Sequence, residues 1–168
     1  MENIFLIGFM GSGKSTIARV LQKELGMQLV EMDARIVQEQ GMSINDIFAQ
    51  YGEDHFRDIE SQLILTIGKE GDTIVSCGGG VVVRPQNVDY MRKSGRIVYL
   101  KATPETIYER VKHSTDRPIL NGNMNVAYIA QLMEKRRELY ENAADITVAT
   151  DGKSREEICR EIVAGISE

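Results

Sequence analysis

Apolar residues fall along the chain in two alternating rhythms, and the alternation predicts the architecture. Short, nearly unbroken apolar runs lie at 3–7, 28–32, 73–77, 96–101 and 146–149, as expected of strands buried on both faces of a parallel sheet. Between them, apolar residues recur every three or four positions, as on one face of a helix. Ile17, Val20, Leu21 and Leu25 trace one such face, closed by Gly26. Ile44, Ile47 and Phe48 trace a second, Ile59, Leu63 and Ile67 a third, and Ile129, Leu132, Met133, Arg136 and Tyr140 a fourth within 126–140. A helix is also expected over 34–40, directly after Asp33 closes the second run. Start signals sharpen the boundaries. Ser43 has Asp46 three residues on, Pro104 follows Thr103, and Ser154 pairs with Glu157 as a capping box for a last helix carrying Ile158, Ile162 and Ile166. Strand and helix alternate throughout, which predicts an α/β protein with a parallel sheet covered on both faces. With no repeat or linker, residues 1–168 read as one domain.

Composition narrows the function classes. The chain is 42% hydrophobic and 27% charged, with a net charge of −5, which argues against a nucleic-acid binder held by phosphate contacts. No apolar run reaches membrane-spanning length, and Ile74 to Val83 is interrupted by three glycines. The first strand begins too early to leave room for a signal peptide, so a cytoplasmic location is expected. Cys77 and Cys159 form no C-x-x-C, which favours two buried thiols over a disulfide or metal site. His55 and His113 match no zinc spacing.

Chemistry enters with Gly8-Phe9-Met10-Gly11-Ser12-Gly13-Lys14-Ser15, followed by Thr16. The segment fits the phosphate-loop pattern G-x-x-x-x-G-K-[ST] and sits between a strand and a helix, as that motif requires. Glycines let backbone N–H groups approach phosphate oxygens. Lys14 is expected at the β- and γ-phosphates, the Ser15 hydroxyl on Mg²⁺, and a helix starting at Lys14 adds its positive end. Nucleotide binding follows. Further candidates lie at strand ends, where ligands sit in open α/β sheets. Glu31 and Asp33 share a side if the second strand persists that far, though Asp33 also suits a helix cap. Gly78-Gly79-Gly80 follows the third strand as either a plain turn or a point of close approach. That strand ends in Ser76 where many phosphate-loop enzymes carry aspartate, so the second strand's acids are the candidates for the cation-directed carboxylate. Arg57 and Glu60, three apart, are by default a solvated ion pair; the alternative has Glu60 positioning Arg57 for an anion. Residues 112–125 are polar, contain Arg117-Pro118, and suit a lid that excludes water from a γ-phosphate. Arg136 falls on the apolar face of its helix, which points it inward.

Taken together, the Gly8–Thr16 loop, Asp33, Ile47-Phe48 through Gly52-Glu53 and Phe56-Arg57, Gly78–Gly80, Arg117-Pro118, and Arg136 with Leu139-Tyr140 resemble the shikimate kinase family over essentially the whole chain. The resemblance implies a three-layer P-loop kinase fold, with a five-stranded sheet in the order 2-3-1-4-5 and a mobile lid near 112–125. It implies transfer of the ATP γ-phosphate to the 3-hydroxyl of shikimate, with Mg²⁺ as cofactor, and nothing in the sequence demands more than a monomer. Lys14, Asp33 and Arg117 are the implied catalytic residues, with Asp33 as base. Gly11, Ser12, Gly13, Lys14, Ser15, Thr16, Arg110, Arg117 and Lys153 are implied for nucleotide, with Arg110 packing on adenine. For shikimate the implied residues are Asp33, Arg57, Gly79, Gly80 and Arg136, in a substrate region of about 33–60. Ser15 and Glu31 are implied for the metal, although the family commonly shows Asp-x-Asp where this chain has Glu31-Met32-Asp33. Two rival readings stay open from the residues: a kinase for another sugar acid, such as gluconate, and a non-catalytic nucleotide module. No guanine-reading N-K-x-D is present.

Overall fold

The structure is a computed structural model and describes residues 2–112 and 125–167. Five strands form one sheet: β1 Asn3–Ile7, β2 Gln28–Glu31, β3 Thr73–Ser76, β4 Gly95–Lys101 and β5 Ile146–Ala149. Their order is β2-β3-β1-β4-β5, and every neighbouring pair is parallel. β1 lies at the centre, with Phe5 opposite both Val75 and Ile97.

Side chains of a strand alternate between faces, and here each set meets its own helices. Ile4 and Leu6 join Ile74, Val98 and Leu100 beneath α1 (Lys14–Leu25) and α8 (Arg155–Ile166). Phe5 and Ile7 join Val75, Ile97 and Tyr99 on the other face. That face is covered by α2 (Met32–Gln40), α3 (Ile44–Tyr51), α4 (Glu53–Gly68), α5 (Pro85–Ser94), α6 (Pro104–Val111) and α7 (Val126–Ala143). Cys77 belongs to one core and Cys159 to the other, both buried and unpaired. The sheet thus keeps the two thiols apart. Among the described residues, no helix is long and apolar enough to cross a membrane.

Caps follow the local sequence. Ser43, Thr103 and Ser154 each accept a hydrogen bond from the backbone N–H three residues on, and Glu157 completes the box. The N-terminus of α1 differs: its cap is Gly13 at φ 100°, with no side-chain acceptor. Its first N–H groups are left for an anion.

One local expectation changes, and one element is added. The second strand stops at Glu31, and Met32 and Asp33 form the first turn of α2 with Glu31 at its cap position. The helical path buries Met32 beside Ile36, four residues on, in one core; continuing the strand would separate them. The added element is α5, for which the apolar rhythm gives no expectation. Arg84-Pro85 marks its start, with proline in the first turn, where no N–H is needed.

Candidate active site

A cavity of about 470 Å³ opens at the carboxyl ends of the central strands. The phosphate loop forms one wall through Met10, Gly11 and Gly13–Thr16. Gly8, Gly11 and Gly13 all have positive φ, and a Cβ on Gly8 would lie 2.6 Å from the Leu100 carbonyl oxygen. Only glycine fits there. The Lys14 ammonium is buried and donates to the carbonyls of Gly8 at 2.7 Å and Phe9 at 3.0 Å. Ser12 Oγ is buried behind this wall, with no hydrogen-bond partner among the described residues. The Ser15 and Ser76 hydroxyls lie 3.2 Å apart. From α6, Arg110 donates to the Gly11 carbonyl at 2.9 Å.

The facing wall is built on Gly78–Gly80. A Cβ on Gly78 would meet Glu60 Oε2 at 2.7 Å and Asp33 Oδ1 at 3.0 Å, so these carboxylates converge on one point. A Cβ on Gly79 would sit 3.7 Å from Arg136 Nη1, and one on Gly80 would overlap the Arg57 guanidinium. The triplet is therefore a point of close approach, made by the protein's own side chains. None of the three glycines has a positive φ, so space rather than backbone conformation requires them. α5 helps to fix the turn: Asn87 is fully buried, donates to the Val81 carbonyl and accepts from Ser61 of α4.

Arg57 and Glu60 are buried, not solvated. Arg57 Nη1 donates to Glu60 Oε1 at 2.7 Å, while its Nε and Nη2 donate to Glu53 Oε2. Three of the five Arg57 N–H donors are engaged among the described residues. Desolvation pushes the Glu60 carboxyl up to about 7, opposed by Arg57 and reinforced by Asp33. Among the described residues, Glu60 Oε2 and Arg136 Nη1 are both buried without a hydrogen-bond partner. Arg136 also faces the Phe9 ring, 6.0 Å from its centroid, which joins the two walls. Burial drives the Cys77 thiol well up, so it stays neutral beside the loop. The cavity thus holds a nest of N–H groups for an anion at one end. At the other it presents carboxylates and guanidinium donors for a polar acid.

Gly11, Gly13, Lys14, Ser15, Thr16, Glu31, Asp33, Arg57, Gly79, Gly80, Arg110 and Arg136 all line this cavity. Lys153 does not; its ammonium is paired with Glu161 of α8 at 2.8 Å. Arg117, and the expected lid apart from its end residues, lie outside the described residues, as does His113. His55 packs against the Tyr51 ring in a tilted pair, with centroids 4.7 Å apart.

The arrangement matches known proteins. The shikimate kinase family model matches residues 10–167.

The chain belongs to the shikimate kinase family.

A shikimate kinase of Dehalococcoides mccartyi is 46% identical over 161 residues, covering 96% of this chain and 91% of its own. The crystal structure of shikimate kinase from Aquifex aeolicus is 33% identical, with a TM-score of 0.84, covering 98% of this chain and 96% of that one. A shikimate kinase from Acinetobacter baumannii, in complex with shikimate, is 28% identical with a TM-score of 0.92, covering 97% and 91%. The sheet order of the shikimate kinase fold is the one observed here. The reaction is phosphate transfer from ATP to shikimate, which sets aside both the gluconate kinase and the non-catalytic module. Sequence reasoning gave no role to the Ser15–Ser76 contact. The burial of Glu60 had a readable signal: Phe56, Glu60, Leu63 and Ile67 share one helical stripe.

Proposed function

We propose that this enzyme holds shikimate between Arg136, Arg57 and the Gly78–Gly80 turn, with Asp33 as the base for the 3-hydroxyl. The observation that carries the reading is the buried Nη1 of Arg136 beside Gly79, which has no hydrogen-bond partner among the described residues. A buried guanidinium N–H without an acceptor is costly, and a carboxylate is its best match. Arg57 plays the secondary part, because Glu53 and Glu60 already offset its charge. Asp33 accepts the hydroxyl proton as oxygen attacks the γ-phosphorus, and the bond to the leaving ADP oxygen breaks. Lys14 leaves its loop carbonyls for the phosphates, and Ser12 and the N–H groups of Gly11–Thr16 bind phosphate oxygens. Arg110 packs on the base. Arg117 and Lys153 complete the nucleotide contacts in this reading, with 112–125 as lid and 33–60 as substrate region of a single domain, residues 1–168.

The donor set suits Mg²⁺: Ser15, Ser76 and Glu31 offer hard oxygens at one end of the cavity, and this ion keeps several waters beside few protein ligands. Ser15 would hold it directly and Glu31 through water, one Glu31 oxygen being already taken by Arg19 at 3.3 Å. Bound there, the ion would neutralise phosphate charge. The reading also takes the enzyme as a cytoplasmic monomer acting on small molecules, without nucleic-acid or membrane partners. Two buried free thiols suit a reducing compartment.

The test is Arg136→Ala, with shikimate binding measured by calorimetry without nucleotide. Loss of a buried charge partner costs about 2–5 kcal/mol, roughly thirty- to several-thousand-fold in Kd, while ATP affinity holds. An unchanged shikimate Kd removes Arg136 from the site.

A further inference from the structure

The glycine turn has no side chains of its own to fix it, and glycine peptides rotate more freely than any others. Its carbonyls show how it is held. The Gly78 carbonyl accepts from Val81 N–H at 3.2 Å and the Gly80 carbonyl from Val83 N–H at 3.0 Å, both local turns. The Gly79 carbonyl accepts instead from the Tyr140 hydroxyl, on α7. The middle peptide is thus fixed from outside.

Tyr140 is 1% exposed, and its ring stacks on Tyr99 with centroids 5.0 Å apart. It lies four residues after Arg136, on the same face of α7, and both are buried. The Arg136 guanidinium lies beside the same hydroxyl, while its Nη1 approaches Gly79. One hydroxyl therefore holds the Gly79 carbonyl and lies beside the Arg136 guanidinium, two parts of the surface assigned above to shikimate.

We propose that Tyr140 is a positioning residue for shikimate: its hydroxyl sets the Gly79 peptide and the Arg136 guanidinium in one fixed relation before substrate arrives. The ring fills the core and the oxygen orients the site. This rests on Arg136 being the carboxylate anchor. Pre-set donors cost a ligand less to engage than donors it must order itself, so the hydroxyl acts on substrate affinity. Nucleotide binds the opposite wall and is indifferent to it.

The test uses the full chain with Tyr140→Phe, which keeps the ring and its stacking. Tyr99→Phe controls for loss of a neighbouring phenol, and Arg136→Ala controls for the anchor. Shikimate Kd without nucleotide, ATP Kd, kcat, KM and Tm are measured for each. Tyr140→Phe is expected to raise shikimate Kd and KM roughly five- to thirtyfold, the equivalent of one hydrogen bond. ATP Kd and kcat should stay within about threefold, and Tyr99→Phe should change neither ligand. If Arg136→Ala weakens shikimate binding and Tyr140→Phe leaves it unchanged, the positioning role is refuted and the anchor stands. Parallel weakening of ATP and shikimate in Tyr140→Phe would make the hydroxyl a general structural support, which also refutes it. If Arg136→Ala leaves shikimate Kd unchanged, the anchor fails, and the positioning role with it.

Discussion

Glu60 offers the most direct check on the electrostatics of the substrate wall. Its carboxyl is fully buried, hydrogen-bonded to Arg57 through one oxygen and, among the described residues, without a partner on the other. Burial opposes its ionisation more strongly than Arg57 favours it. The perturbation is Glu60→Gln, which keeps shape and an acceptor for Arg57 but removes the titration. Below about pH 4.5 the wild-type glutamate is protonated in both folded and unfolded chains and carries no penalty. Above that pH the unfolded chain releases its proton while the folded chain keeps it, so stability falls. The fall ends once the folded group has also ionised, near pH 7. At about 1.4 kcal/mol per pH unit, the interval from 4.5 to about 7 amounts to roughly 3 kcal/mol. Urea unfolding of both proteins, in steps from about pH 4.5 to about pH 8, measures this as the wild-type minus Glu60→Gln difference. That difference should fall by about 3 kcal/mol across the range, the wild type losing ground as pH rises. A difference constant to within about 0.5 kcal/mol would mean that Arg57 keeps Glu60 ionised throughout, and would refute the dominance of burial.

Three further outcomes are expected. Gly80→Ala suits its backbone, with φ at −99°, but drives a Cβ to 2.6 Å from Arg57 Cζ; shikimate Kd should rise roughly tenfold, and an unchanged Kd would show the guanidinium free to move aside. Asp33→Asn should leave shikimate Kd within severalfold and lower kcat by about a hundredfold or more; wild-type turnover would remove Asp33 from proton transfer. Lys14→Met should depress ATP turnover and also cost about 1–2 kcal/mol of stability in thermal melts, because two loop carbonyls lose their donor. Full activity would contradict its assigned role.

The strands and most helices were legible because each buried element carries its own period, and the phosphate loop because its glycines are demanded by local backbone geometry. Asp33 was harder to read. Whether a chain leaves a strand at Glu31 or two residues later depends on where Met32 finds its core, and that core is assembled from distant residues. The Arg57–Glu60 spacing shows only that the two charges can meet; the hint that water is excluded comes from Glu60 sharing a stripe with Phe56, Leu63 and Ile67, and Arg57 itself lies outside that stripe. α5 escapes the apolar rhythm because its buried Asn87 is polar, and only Arg84-Pro85 signals a start. Lys153 illustrates the converse. A basic residue near a strand end suits a nucleotide, but Glu161, one turn further along α8 than Glu157, competes for it. The Tyr140–Gly79 contact joins two segments with no shared pattern, and no local rule finds it.

The glycine turn has a consequence for how activity relates to folding. The groups that gather on it come from α2, α4 and α7, elements scattered through most of the sequence, so a fragment that ends before α7 lacks the Arg136 anchor even though it holds the turn itself. Catalytic competence should accordingly return late in refolding, after far-ultraviolet signals have recovered. Mild denaturant should abolish turnover before it dissolves the sheet.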